Sequence, residues 1–207
     1  MKARFDPAKL SEDARTSFDM WALELDRAEK RARYRRHGFI FARGGAHTGL
    51  PNFLINFHRV DDKADMGAYI ARVALIDQAL DQLLVRAKAA AADGIRMPRW
   101  EYDRAMSEVA RVTTGAPFGQ GPDCALLADG KRKIGLLRLG DKITQAEADT
   151  LTTSLATTMT GRMKPAYDRL SAWLAQDRAN TSPEAQGAGA LPDGVNFYDT
   201  ALYIQTT

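Results

Sequence analysis

Cysteine is all but absent from this chain: Cys124 is the only one in 207 residues. No intramolecular disulfide can form, which excludes a disulfide-stapled scaffold. Histidine is scarce as well, with His37, His47 and His58 alone. No two of them stand four apart and none precedes a glutamate, so the zinc-binding H-E-x-x-H helix does not occur in these residues. No apolar run approaches the ~20 residues that a membrane span requires. The first residues, MKARFDPAKLSED, carry no apolar stretch of signal-peptide type. Charge of one sign is lacking too. The net +3 neither demands nor excludes an anionic partner. Finally, no apolar–polar alternation lasts long enough for a sheet.

What remains is an ordinary globular composition, 45% apolar and 27% charged, long enough for one large domain or two small ones. Its dominant pattern is helical. Ser11, followed by Glu12 and Asp13, reads as an N-cap with acids in the first turn. Ala14, Phe18, Trp21, Leu25, Ala28 and Ala32 then recur at spacings of three and four, which predicts one buried stripe. Gly38 is the expected stop. RGGAHTGLP (43–51) reads as a glycine-rich loop, and NFLINFHRV after it as a short helix. The clearest helix runs from about Asp62 to Asp93, with Asp62 and Asp65 spaced as in a capping box and Gly94 closing it. Pro98 opens the next, whose apolar side is read as Trp100, Ala105, Met106, Val109 and Ala110. A short helix is expected over Cys124 to Leu137. Thr144 and Glu147 form a capping box. The helix they start should be kinked, not ended, at Pro165. Residues 180–190 are a small-residue linker. The expected fold is all-α, a bundle of long amphipathic helices with irregular connecting loops.

No catalytic constellation accompanies these helices. Cys124 has nothing nearby in sequence to lower its pKa and reads as a small buried side chain. His47 and His58 could meet only through the fold. Gly44, Gly45 and Gly49 lack the Lys-Ser or Lys-Thr of a phosphate loop, and Gly119, Gly121 and Gly130 read as turns. Pairs such as Asp61–Asp62, Glu147 with Asp149, and Asp77 with Asp81 are common on helix surfaces. Six cations between Arg27 and Arg36 wrap around a helix end beside its apolar stripe. With Tyr34 the one aromatic among them, a solvated, salt-bridged end is the better reading than a nucleic-acid face. No catalytic, cofactor-binding or metal-ligating residue is therefore assigned.

Several stretches in fixed order resemble one bacterial family: GLPNFLINFHRV (49–60), AYIARVALIDQALDQLL (68–84), GIRMPRW (94–100), AYDRLSAWL (166–174) and LPDGVNFYDTALYIQTT (191–207). The chain resembles the domain of unknown function 885 group, which is mostly helical and similar to zinc-dependent metallopeptidases. That resemblance implies an expected division. Residues 1–190 would be a helical N-terminal domain. Residues 191–207 would start an element leading into a further, catalytic half that carries the zinc ligands and general base. The segment would itself hold no cofactor, with zinc expected for the full-length protein. Its helices would wall a substrate channel for peptides. The last element, with Phe197, Tyr198, Tyr203 and Ile204, would expose apolar surface meant for that other half, or alone for a homodimer. The resemblance also suggests an exported or periplasmic protein. The alternative is a self-sufficient helical binding or interaction module.

Overall fold

The computed structural model describes residues 6–206. Among them there is no sheet, only an isolated bridge between Ala116 and Asp123, and the fold is all-α. The chain divides into two compact units. One is Phe39–Ala185. The other joins the residues up to Gly38 with those from Gln186 onward.

The larger unit is built on α3 (Lys63–Ala92). Asp62 caps it, accepting the Asp65 N–H at 2.9 Å, while the Asp65 carboxylate accepts the Asp61 N–H. Gly94, at φ 81°, follows its end, a left-handed conformation that glycine adopts without a Cβ clash. Met66, Tyr69, Val73, Ile76, Leu80 and Leu84 form its buried face. Around that face pack α2 (Ala46–Phe57), α5 (Ala125–Leu139), α6 (Gln145–Thr158) and α7 (Lys164–Arg178). Next to α7 and α2 lies α4 (Arg99–Val112). The Thr144–Glu147 capping box forms as read, each side chain meeting the other's backbone. Pro165 also behaves as read. Its lost N–H falls just after a π-helical turn, Met159–Met163, where the Lys164 N–H reaches back to Met159 O. A widened turn of this kind carries a proline through a continuing helix.

Three expectations need correction in this unit. The glycine-rich stretch is not loop throughout: α2 begins at Ala46, with Gly45 as its N-cap and Pro51 inside it. Gly45 is required there because a Cβ would stand 2.4 Å from Ile40 O. The inner face of α4 includes Ala105 and Val109 as read, with Met106 half-buried against the core, but not Trp100 and Ala110. Trp100 is exposed, and Glu101, Tyr102, Ala105, Glu108 and Val109 are buried. Periodicity ranks apolar residues first and cannot foresee that two glutamates have partners inside. Gly130 is not a turn but lies within α5, where an added Cβ would meet Leu155 Cδ2 at 2.2 Å. It marks the close approach of α5 and α6.

The smaller unit pairs α1 (Glu12–Arg33) with α8 (Gly194–Thr206). Ser11 caps α1 as expected, accepting the Ala14 N–H at 3.3 Å. Its end comes earlier than Gly38: the Tyr34 N–H bonds Arg31 O, and the His37 N–H bonds Tyr34 O. The rings of Tyr34 and His37 are buried against the 192–197 segment, and those contacts turn the chain out of the helix. The larger correction concerns burial. No residue of α1 is buried. Ala14, Phe18 and Leu25 of its apolar stripe are half-covered, and Trp21, Ala28 and Ala32 are exposed. Within this unit one short helix lies beside it, and one neighbour cannot enclose a stripe of that length. On α8 the exposed apolar row is Val195, Tyr198 and Leu202. Phe197, Tyr203 and Ile204, expected to be exposed, are half-buried instead. Phe197 stacks near Tyr34, and the Tyr203 hydroxyl donates to Asp26 of α1.

Candidate functional site

Inside the larger unit the polar groups gather into buried clusters, each tying several elements together. At the start of α2, His47 is fully buried, and its Nε2 lies 2.8 Å from Glu108 Oε2 on α4. Burial holds the His47 pKa below its ordinary value, against the opposing pull of Glu108. The neutral ring therefore donates its Nε2–H to the carboxylate. Nδ1 then carries the lone pair and has no partner among the described residues. The backbone of the same residue is also committed. Pro51 has no N–H to give the carbonyl four residues before it, which is that of His47. The Tyr167 hydroxyl, from α7, donates to that carbonyl instead. One residue type forced on α2 thus has its answer on a helix 120 positions away.

Asp129 on α5 forms a second cluster. It accepts from Tyr69 at 3.0 Å, Lys133 at 2.6 Å and Arg132 at 2.6 Å. Lys133 also donates to Leu54 O at 2.9 Å, closing the C-terminal part of α2 onto α5, and lies over the Tyr69 ring. Burial chiefly, then Asp129, pushes the Tyr69 hydroxyl pKa far up, so it stays a donor. His58 stacks edgewise on Tyr69 and sits 2.8 Å from Arg72. Its pKa is lowered by burial first, then by Arg72 and Lys133. The third cluster centres on Asp177, which accepts from Tyr102 at 2.6 Å, Arg96 at 3.0 Å and Asn180 at 3.3 Å. In each of these clusters the acid is surrounded by its own donors. Such clusters fix the relative placement of helices.

The sequence candidates fall into place accordingly. His47 and His58 go to different partners. Among the described residues no three of His, Cys, Asp and Glu lie together as a metal-ligand set. Cys124 is buried at the N-cap of α5, and burial raises its thiol pKa. The carboxylate pairs are structural. Asp62 is a cap. Glu147 serves both as a cap partner and as the acceptor of Lys63 at 2.7 Å, which holds its pKa down at about 2. Asp77 and Asp81 pair with Arg162 and Arg169. In the basic cluster Arg27 pairs with Glu24 at 2.6 Å and Lys30 with Asp26. A shallow apolar groove of about 200 Å³ lies between α2 and α3, lined by Leu50, Phe53, Leu75 and Ile76.

The ordered stretches quoted from the sequence supply helix after helix of this arrangement. A family model, bacterial protein of unknown function (DUF885), matches residues 1–207. The chain belongs to the DUF885 family. No curated protein and no solved structure gives a significant match. Among the described residues no helix is long and apolar enough to cross a membrane. Sequence reasoning missed the DUF885 chain's buried acids Glu108, Asp129 and Asp177. The available signal was helical phase: Asp129 and Lys133 are four apart, the spacing of an ion pair on one helix face.

Proposed function

We propose that this chain is a noncatalytic helical segment of a zinc-dependent, peptidase-like protein, and that its helices form a wall of that protein's substrate channel. The observation that carries this reading is α1. It is a 22-residue helix with a full apolar stripe and no buried residue. Beside it α8 presents Val195, Tyr198 and Leu202 outward. Apolar rows of this length on two paired helices are expected where other protein covers them. Support for the noncatalytic part comes from the buried acids and His47, which are engaged with one another. The zinc ligands would lie outside these residues, as the family resemblance implies.

The test is a metal and activity assay on the purified chain. The expected result is no stoichiometric zinc and no hydrolysis of a short-peptide library, together with self-association that weakens in Leu202→Glu. One zinc per chain, with peptide hydrolysis abolished by a chelator, would overturn the proposal.

One observation favours a second reading, a self-sufficient helical module. Residues 39–185 close a core of their own around α3. On that reading the chain is a cooperatively melting monomer, and Leu202→Glu leaves its sedimentation unchanged.

A further inference from the structure

The smaller unit contains a cleft that the proposed function does not use. It has a volume of about 390 Å³ and lies between the C-terminal end of α1 and the inner face of α8. Arg31, Tyr34, Arg35 and His37 line it from one side, Phe197 and Ile204 from the other. The size suits a ligand of one amino-acid residue or a little more. We propose that this cleft is a binding site for a small organic carboxylate bearing an apolar side chain and an adjacent N–H donor, the chemistry of an N-acylated hydrophobic amino acid.

Three observations carry the assignment. The first is cationic. Arg31 and Arg35 both line the cleft, and neither guanidinium has a hydrogen-bond or ion-pair partner among the described residues. Their neighbours Arg27 and Lys30 do have partners, Glu24 and Asp26. Two guanidiniums at one opening match a carboxylate's paired oxygens. They also offset the negative end of the α1 dipole, which would otherwise repel an anion.

The second is an orphaned nitrogen. His37 is 8% exposed, and its Nε2 lies 2.8 Å from Pro192 O. A carbonyl can only accept, so Nε2 carries a hydrogen, and in the Nε2–H tautomer Nδ1 is an acceptor. That Nδ1 is buried with no partner. A buried polar atom left so is costly, and since almost none of its surface is open, a ligand N–H would satisfy it only with a small turn of the His37 ring toward the cleft.

The third is the apolar wall. The Phe197 ring lies 4.7 Å from that of His37 and 5.6 Å from that of Tyr34. Ile204 continues the same face of α8 two turns on. Asp193, the nearby acid, already accepts from the Tyr34 hydroxyl at 2.9 Å and from Asn196 at 2.6 Å. Its charge is thus engaged, and it does not line the cleft. The inference rests on the geometry of this unit alone and stands or falls independently of the peptidase reading.

The test is a titration of the ¹⁵N-labelled full chain with N-acetylphenylalanine at low salt. Saturable binding with a Kd of ~1 mM or tighter is expected, with shifts confined to residues 31–38 and 197–205. N-acetylphenylalaninamide, which lacks the charge, should bind about tenfold more weakly or worse. Inorganic phosphate, which lacks the apolar body, should not compete at equal concentration. The Arg31→Gln/Arg35→Gln double variant removes no internal side-chain hydrogen bond or ion pair, so it should melt within a few degrees of wild type and lose carboxylate binding about tenfold. Equal binding of acid and amide, competition by phosphate, unchanged affinity in the double variant, or no saturation would each overturn the assignment.

Discussion

Removing the Tyr167 hydroxyl tests whether α2 depends on a distant helix to repair its own proline. Tyr167 is fully buried and donates to His47 O, the carbonyl that Pro51 cannot serve. In Tyr167→Phe that carbonyl is left in the core without a donor. A buried orphan of this kind costs about 1–3 kcal/mol. With a urea slope of about 2 kcal/mol per molar, the unfolding midpoint should fall by about 0.5–1.5 M. Pro51→Ala supplies a new N–H four residues after His47. In that background the helix can bond its own carbonyl, so the same Tyr167→Phe change should cost about 1 kcal/mol less. The assay is a double-mutant cycle by urea denaturation, followed by circular dichroism. Each corner also loses some packing, but the cycle cancels what the corners share. If Tyr167→Phe costs the same in both backgrounds within ~0.4 kcal/mol, the hydroxyl is not substituting for the missing backbone bond, and the reasoning fails.

Gly130→Ala should destabilise the chain by about 1–3 kcal/mol through overpacking against Leu155, and a companion Leu155→Ala should relieve part of the loss; additive costs in thermal melts would contradict the close-approach account. Glu147 has a folded pKa depressed to about 2 from its ordinary 4.5, Lys63 being the largest cause. Its contribution is therefore complete above pH 4.5 and is lost as pH falls toward 2. Glu147→Gln should flatten the stability-versus-pH curve in that window, and an unchanged slope would refute the Lys63 linkage. His47 and His58 both have folded pKa values below the ordinary 6.5. Unfolding frees them to take up protons, so stability should decline as pH drops below about 6.5 until the folded pKa values are passed. His47→Gln should remove part of that decline in urea midpoints measured from pH 7.5 to 5.

Local rules settled a good deal from the sequence alone. The caps at Ser11, Asp62 and Thr144 depend on side chains reaching three residues along, and each formed as read. So did the passage through Pro165 and the span of α3. The family was legible because its stretches keep their order across most of the chain. What the sequence could not decide are the contacts between residues far apart in it. Glu108 is inside because His47, 61 positions away, needs an acceptor. Gly130 is glycine because α6 passes close to it, and the 43–51 stretch turns helical with Tyr167 serving a carbonyl there. The apolar stripe of α1 makes the same point from the other side. Its spacing is an intrinsic property of the residues, but burial is a property of neighbours, and only the tertiary structure shows how few of them the stripe has in its own unit.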